Sequence, residues 1–260
     1  MSVYAIVNRK GGVGKTTTAV NMAYIMATGL NNKVLLIDAD SQGNATSTVC
    51  LEAHPAAGLD EVLHTGTAWF PSIIHPTDVP GVDILPSTEG LADYELRCTI
   101  GQDTPNFGRL REFVEAIAED GSYDDIIIDC PPYYSVSCIS ALSACDSIII
   151  PSDMDAYSAT GVAELVRQID NIRRACPNVK VSGVLVTKFD RGAVAADAVD
   201  YLREECPVHV FRTKIRASVE KARGATWAGM PLGQWSPWCN AARDYREFVA
   251  ELLGEEVLDG

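Results

Sequence analysis

The hydrophobic positions of this chain gather into short runs that end on polar or charged residues. Tyr4-Ala5-Ile6-Val7 is the first and Lys33-Val34-Leu35-Leu36-Ile37-Asp38 the second. The pattern returns at 82–85, 123–129, 147–151, 179–187 and 208–211. Continuous apolar runs of this length suit strands covered on both faces, as in a parallel sheet. Between them lie helix-prone stretches at 16–27, 89–97, 107–120, 156–174, 193–205 and 241–253. Strands separated by helix-length connections predict an α/β chain: a mostly parallel, twisted sheet with helices on both faces. The stretch 53–81, with its prolines and histidines, predicts surface loop with one short helix. No repeat or composition break marks a linker, so residues 1–260 are expected to form a single domain.

Composition narrows this picture a little. At 260 residues and 47% hydrophobic, the chain can bury a sizeable core and is too apolar to be disordered. Its apolar runs are too short to span a bilayer, and it opens on a strand without a basic leader, which predicts a cytoplasmic location. Eight scattered cysteines form no CxxC pair and predict free thiols. A net charge of −14 argues against coating nucleic acid with the whole surface, and leaves a local basic patch open.

The chemistry begins directly after the first strand, at Asn8-Arg9-Lys10-Gly11-Gly12-Val13-Gly14-Lys15-Thr16-Thr17-Thr18. The strict phosphate-loop pattern fails at its first glycine, where Arg9 stands, and every later feature fits. Residues Gly11, Gly12, Val13 and Gly14 can turn backbone N–H groups around phosphate oxygens, and the helix opening at Lys15-Thr16-Thr17 adds its positive end. Lys15 would reach the β- and γ-phosphates, and the Thr16 hydroxyl would ligate Mg2+.

Two later strands end on carboxylates, and ligands of open parallel sheets lie beyond such strand ends. Asp129 is therefore expected to face the magnesium. Asp38 and Asp40, two residues apart, share one side if the strand persists. Asp38 would support the metal shell, and Asp40, farther out, would orient the attacking water. Lys10 is surplus to an ordinary phosphate loop. It could fold back onto its own nucleotide, point to solvent or cross to a partner, where a cation would stabilise the charge that develops in phosphoryl transfer.

The stretches KGGVGKTTT, VLLIDADSQGNAT and YDDIIIDCPP resemble the nucleotide motifs of the ParA/Soj family, the plasmid and chromosome partitioning ATPases with a deviant Walker A loop, relatives of MinD. The likeness extends through LPSTEGLADYE, IIIPSDMDAYSATG and PLGQWSPWCNAARDYREF, and so covers essentially the whole chain. It implies a P-loop NTPase fold, with ATP and Mg2+ as cofactors. Lys10 would be the signature lysine that contacts the partner's nucleotide in an ATP-bound homodimer. Lys15 would be the Walker A lysine, Asp40 the catalytic carboxylate, and Thr16, Asp38 and Asp129 the magnesium side. Family adenine recognition points to Thr187 and the loop near Ile215. The resemblance also implies slow hydrolysis stimulated by a centromere-binding, ParB-like partner, and nonspecific duplex DNA binding by the ATP dimer, hence a nucleoid-associated protein.

The chain departs from the family at Ser41, usually proline, which is expected to loosen the turn holding Asp40 and Gln42. It departs again at Asp153 and Asp155, where the family has Gln and Glu near the dimer interface. Carboxylates there are costly unless Lys10, Arg9 or magnesium neutralises them. For DNA, eight of the 21 basic residues fall between 188 and 223. Lys188, Arg212, Lys214 and Arg216 are the possible contacts, the last three alternating along one extended piece. Alternative readings are a MinD-like membrane-associated ATPase, which the acidic C-terminal helix disfavours, a regulatory adaptor with little turnover, and a redox ATPase sharing a cluster through cysteines such as Cys98 and Cys130.

Overall fold

A computed structural model describes residues 1–50, 55–66, 72–153, 159–177, 179–190 and 192–254. Among the described residues eight strands form one sheet: β1 (Ser2–Ile6), β2 (Val34–Asp38), β3 (His75–Pro76), β4 (Val82–Leu85), β5 (Asp125–Asp129), β6 (Ser147–Asp153), β7 (Lys180–Phe189) and β8 (Val210–Arg216). Their order is β3-β4-β2-β5-β1-β6-β7-β8, and every pairing is parallel except that of the short edge strand β3 with β4. All residues of β2 and β5 are buried, which is why those runs read as unbroken apolar sequence.

Successive residues of each strand feed opposite layers. Val3, Ala5, Leu35 and Ile37 face one core, shared with α4 (Glu89–Thr99), α5 (Arg109–Asp120) and α6 (Val136–Ala144). Tyr4, Ile6, Val34 and Leu36 face the other, shared with α1 (Lys15–Gly29) and α11 (Asn240–Leu253). Helix α1 is buried on most of its circumference because α11, α10 (Leu232–Trp235) and α2 (Asn44–Val49) cover the side away from the sheet. The acidic-ended α11 is amphipathic and spends its apolar face on this core, through Tyr245, Phe248 and Val249. Among the described residues, no helix is long and apolar enough to cross a membrane.

The remaining helices are α3 (Leu59–Thr65), α7 (Ala159–Ala175), α8 (Ala193–Glu205) and α9 (Val219–Trp227). The expected short helix in 53–81 is α3; α2, α6, α9, α10 and strand β3 are additions. VSCISALSA of α6 has no polar face to reveal a helical period, because the sheet and neighbouring helices bury it nearly all round. Its start is fixed locally, by the Ser135 hydroxyl accepting from Cys138 N at 3.2 Å. Strand β2 stops at Asp38, so the period-two reading of Asp38 and Asp40 does not apply: Asp40 N turns back to donate to Asp38 Oδ1 at 3.2 Å.

Candidate functional site

The carboxyl ends of β1, β2 and β5 are level, with Ile6 opposite Asp129 and Asp129 opposite Asp38. The glycine loop leaves β1 there and enters α1. Gly12 and Gly14 hold φ of 74° and 91°, left-handed values that suit glycine. A methyl group on Gly11 or Gly12 would meet nothing within 4 Å, so the concave side of the loop is open. Asn8, which sequence reasoning did not single out, anchors the loop: its amide donates to Pro151 O at 2.7 Å and its carbonyl accepts from Lys10 N at 2.9 Å. Its signal in the sequence was its position immediately after the apolar run Tyr4-Ala5-Ile6-Val7.

Lys15 is buried, and among the described residues its ammonium donates to Lys10 O at 3.3 Å. Burial pushes its pKa down, opposed by the charges of Asp129 and Asp40. Asp129 is fully buried, and neither carboxylate oxygen has a hydrogen-bond partner of normal geometry. Burial and then Asp38 push its pKa well up, while the nearby Thr16 hydroxyl pulls it down. Asp38 is tied into the fold more closely: Oδ2 accepts from Thr46 N and Thr46 Oγ1, each at 2.8 Å. Its pKa is pushed up to about 6 by burial, with the Thr46 and Asp40 donors restraining the rise. Asp40 Oδ1 accepts from Gln42 N at 3.0 Å and Gly43 N closes onto Asp40 O at 2.9 Å, so the turn is closed without a proline. Ser41 adds a contact of its own, 3.2 Å from the Tyr133 hydroxyl in the loop after Asp129.

An open cradle of N–H groups, a buried ammonium held by one carbonyl, and an orphaned buried carboxylate beside a threonine hydroxyl fit a magnesium-bound polyphosphate. A cavity of about 580 Å³ covers Gly11, Gly12, Lys15, Thr16, Asp40 and Tyr133. It continues into an apolar cavity of about 720 Å³ bounded by Val13, Thr17, Thr187, Ile215 and Tyr245. Thr187 lies on that wall, and the one proton of its hydroxyl is committed: it donates to Val13 O at 2.8 Å, and the residue is buried. It braces the phosphate loop.

Lys10 sits on the exposed rim and turns to its own chain. Its ammonium lies 2.8 Å from Asp153 Oδ1, at the end of β6. Arg9 pairs with Glu164 at 3.5 Å and lies over the Tyr134 ring. Asp155 falls outside the described residues, as does Arg191, another of the eight bases between 188 and 223.

The basic stretch divides. Arg216 is committed to the buried Asp244 through its guanidinium and its backbone N–H, which removes it from the proposed three-cation face. Arg212 is 86% exposed with Glu251 at 3.5 Å, Lys214 lies over the Phe189 ring, and Lys188 is exposed. Cys130 is buried against Cys138, with its thiol pKa pushed well up by that contact and by burial, which makes it a packing residue. Among the described residues, no group of three or more His, Cys, Asp or Glu side chains is arranged to hold a metal ion.

A phosphate loop between β1 and α1, with acids closing the neighbouring parallel strands, defines a P-loop nucleoside triphosphatase. A family model described as an AAA domain matches residues 1–181. The chain is 30% identical to the chromosome partitioning protein ParA of Caulobacter vibrioides, over 98% of this chain and 95% of the relative. It is 32% identical to the sporulation initiation inhibitor protein Soj of Bacillus subtilis, over 96% and 97%. Cobyrinic acid a,c-diamide synthase of Mycobacterium smegmatis, solved with a bound ATP analogue and magnesium, superposes with a TM-score of 0.76 at 28% identity, covering 97% of this chain and 94% of that one. The chain belongs to the ParA/Soj family of partitioning ATPases.

Proposed function

We propose that this chain, acting as one domain over 1–260, is an ATP-driven dimerisation switch for DNA partitioning. Its ATP-bound homodimer would hold nonspecific duplex DNA, and hydrolysis, stimulated by a ParB-like centromere-binding partner, would release it. The observation that carries this reading is the position of Lys10: a cation on the open rim of the phosphate cradle, five residues before the lysine that already serves it.

The cradle from Gly11 to Gly14 holds the phosphate chain by its N–H groups, and Lys15 supplies the buried positive charge beneath it. Thr16, with Asp38 and Asp129 behind it, fits the magnesium side. The ion, when bound, offsets negative charge shared between the phosphate groups. Asp40, the outermost of the three acids, accepts a proton from and orients the attacking water. Asp38 acts through Thr46 and the Asp40 backbone to keep that turn in register. Lys10 completes the charge balance only when a second copy faces the first, so pairing and hydrolysis depend on the same side chain.

The test is sedimentation of wild type and Lys10→Ala with a non-hydrolysable ATP analogue and magnesium. Wild type should pair, and Lys10→Ala should bind the analogue and stay monomeric. A Lys10→Ala protein that pairs and hydrolyses like wild type defeats the trans-lysine switch.

A further inference from the structure

The phosphate cavity and the apolar cavity share walls at Gly14, Thr17, Ala222, Thr226 and Leu232. A nucleotide whose phosphates lie on the glycine loop therefore carries its base into the apolar chamber. The inner side of that chamber is packed: Val13 is buried, and Ile215 and Tyr245 belong to the α1 core. Its outer side carries Trp227, the last residue of α9, which borders the chamber yet is 90% exposed. An indole so exposed has almost no protein packed against it, and apolar side chains left this way mark binding surfaces.

The backbone beneath Trp227 is fixed even though its ring is uncovered. Met230 N donates to Ala225 O at 3.0 Å and Gly229 N to Thr226 O at 3.1 Å, which locks the end of α9. Arg223 lies one turn earlier on the same helix and borders the same chamber. The neighbouring tryptophan, Trp235, has a partner already: a methyl on Gly224 would come within 2.8 Å of its indole nitrogen. Trp227 is the aromatic surface at this chamber with its faces uncovered.

We propose that Trp227 is the base-stacking wall of the nucleotide site, and that its ring area favours purine over pyrimidine nucleotides. The proposal rests on the nucleotide reading above. A base has a π-face that an indole covers without needing a hydrogen-bond pattern, and the Thr187 hydroxyl, already donated to Val13, cannot supply a proton for reading it. An indole also loses more water-exposed area against two fused rings than against one, which gives the preference for purines.

The experiment uses the full chain as wild type, Trp227→Phe and Trp227→Ala, with tripolyphosphate as the probe that lacks a base. Calorimetry with magnesium and ADP, CDP or tripolyphosphate gives the affinities; tryptophan emission gives the contact. ADP should change wild-type emission, and most of that change should vanish in Trp227→Phe while affinity stays within a few-fold. Trp227→Ala should weaken ADP about tenfold, narrow the preference for ADP over CDP, and leave tripolyphosphate binding unchanged. ADP binding as tight in Trp227→Ala as in wild type overturns the stacking role. Equal loss of ADP and tripolyphosphate overturns it too, since that would mark damage to the loop. A wild type that binds neither ADP nor tripolyphosphate overturns the nucleotide reading itself, and is distinguished from the first two results by the wild-type titrations alone.

Discussion

Lys10 and Asp153 form an ion pair of 2.8 Å between the phosphate loop and the end of β6, across 143 positions of sequence. Asp153 neutralises the side chain that the dimer reading sends to a partner. In the single copy the lysine is held by its own fold. Pairing of two copies would exchange this contact for the partner's phosphates.

Asp153→Asn removes the competing charge. The Lys10 side chain is 44% exposed, and a pair screened to that degree holds at most about 1 kcal/mol. Each of the two subunits exchanges one such pair on dimerisation, so ATP-dependent dimerisation should tighten by up to about thirtyfold, with the ADP form unchanged. Sedimentation equilibrium measures this directly. A weaker dimer would show that the carboxylate serves the interface instead of restraining the lysine.

Asp40→Ala should separate binding from turnover. The substitution removes the hydrogen bond that Asp40 Oδ1 accepts from Gln42 N, but the backbone bonds of Asp40 N to Asp38 and of Gly43 N to Asp40 O remain, so the turn should stay closed. Loss of a general base costs about 10²–10⁴ in rate. Nucleotide binding by filter assay should persist while phosphate release falls by that factor, and the ATP-bound dimer should accumulate.

The basic residues of β8 should not behave alike. Arg212→Ala with Lys214→Ala should weaken binding to duplex DNA of any sequence and lower the slope of log K against log salt by about 2. Arg216→Ala should act on stability, because it leaves Asp244 buried without its cation; the cost is about 3 kcal/mol. Fluorescence anisotropy and urea unfolding distinguish the two effects. Arg216→Ala with normal stability and lost DNA binding would return that residue to the DNA face.

Glu251 gives the fold a pH dependence. Burial alone would raise its pKa, but donors from Thr213 and Arg212 more than offset this, and the folded value lies below the ordinary 4.5. A carboxylate more acidic when folded adds stability above its unfolded pKa and loses it as pH falls through the folded one. The stability difference between wild type and Glu251→Gln should be constant near pH 7 and shrink below about pH 4.5. Urea midpoints at pH 3, 5 and 7 check it; a difference that grows on acidification would contradict the sign.

The chain's own pattern determined a good deal. Apolar runs ending on Asp38 and Asp129 announced buried parallel strands with acids at their carboxyl ends, and the glycine loop between a strand and a helix announced the phosphate cradle. These signals are local: a backbone needing left-handed turns selects glycine, and a strand covered on both faces selects aliphatic residues. Helix α6 escaped because burial nearly all round erases the polar face that makes a helix visible in sequence.

Only the tertiary structure decided the partners. Arg212, Lys214 and Arg216 alternate alike in sequence, yet α11 brings Asp244 to the third and Glu251 near the first. The Thr187 hydroxyl donates to Val13 because the sheet sets the end of β7 against the phosphate loop. Lys10 finds Asp153 because strand order puts β6 beside β1. Which charges meet depends on neighbours chosen by long-range packing, and the spacing of residues along one chain carries no record of that choice.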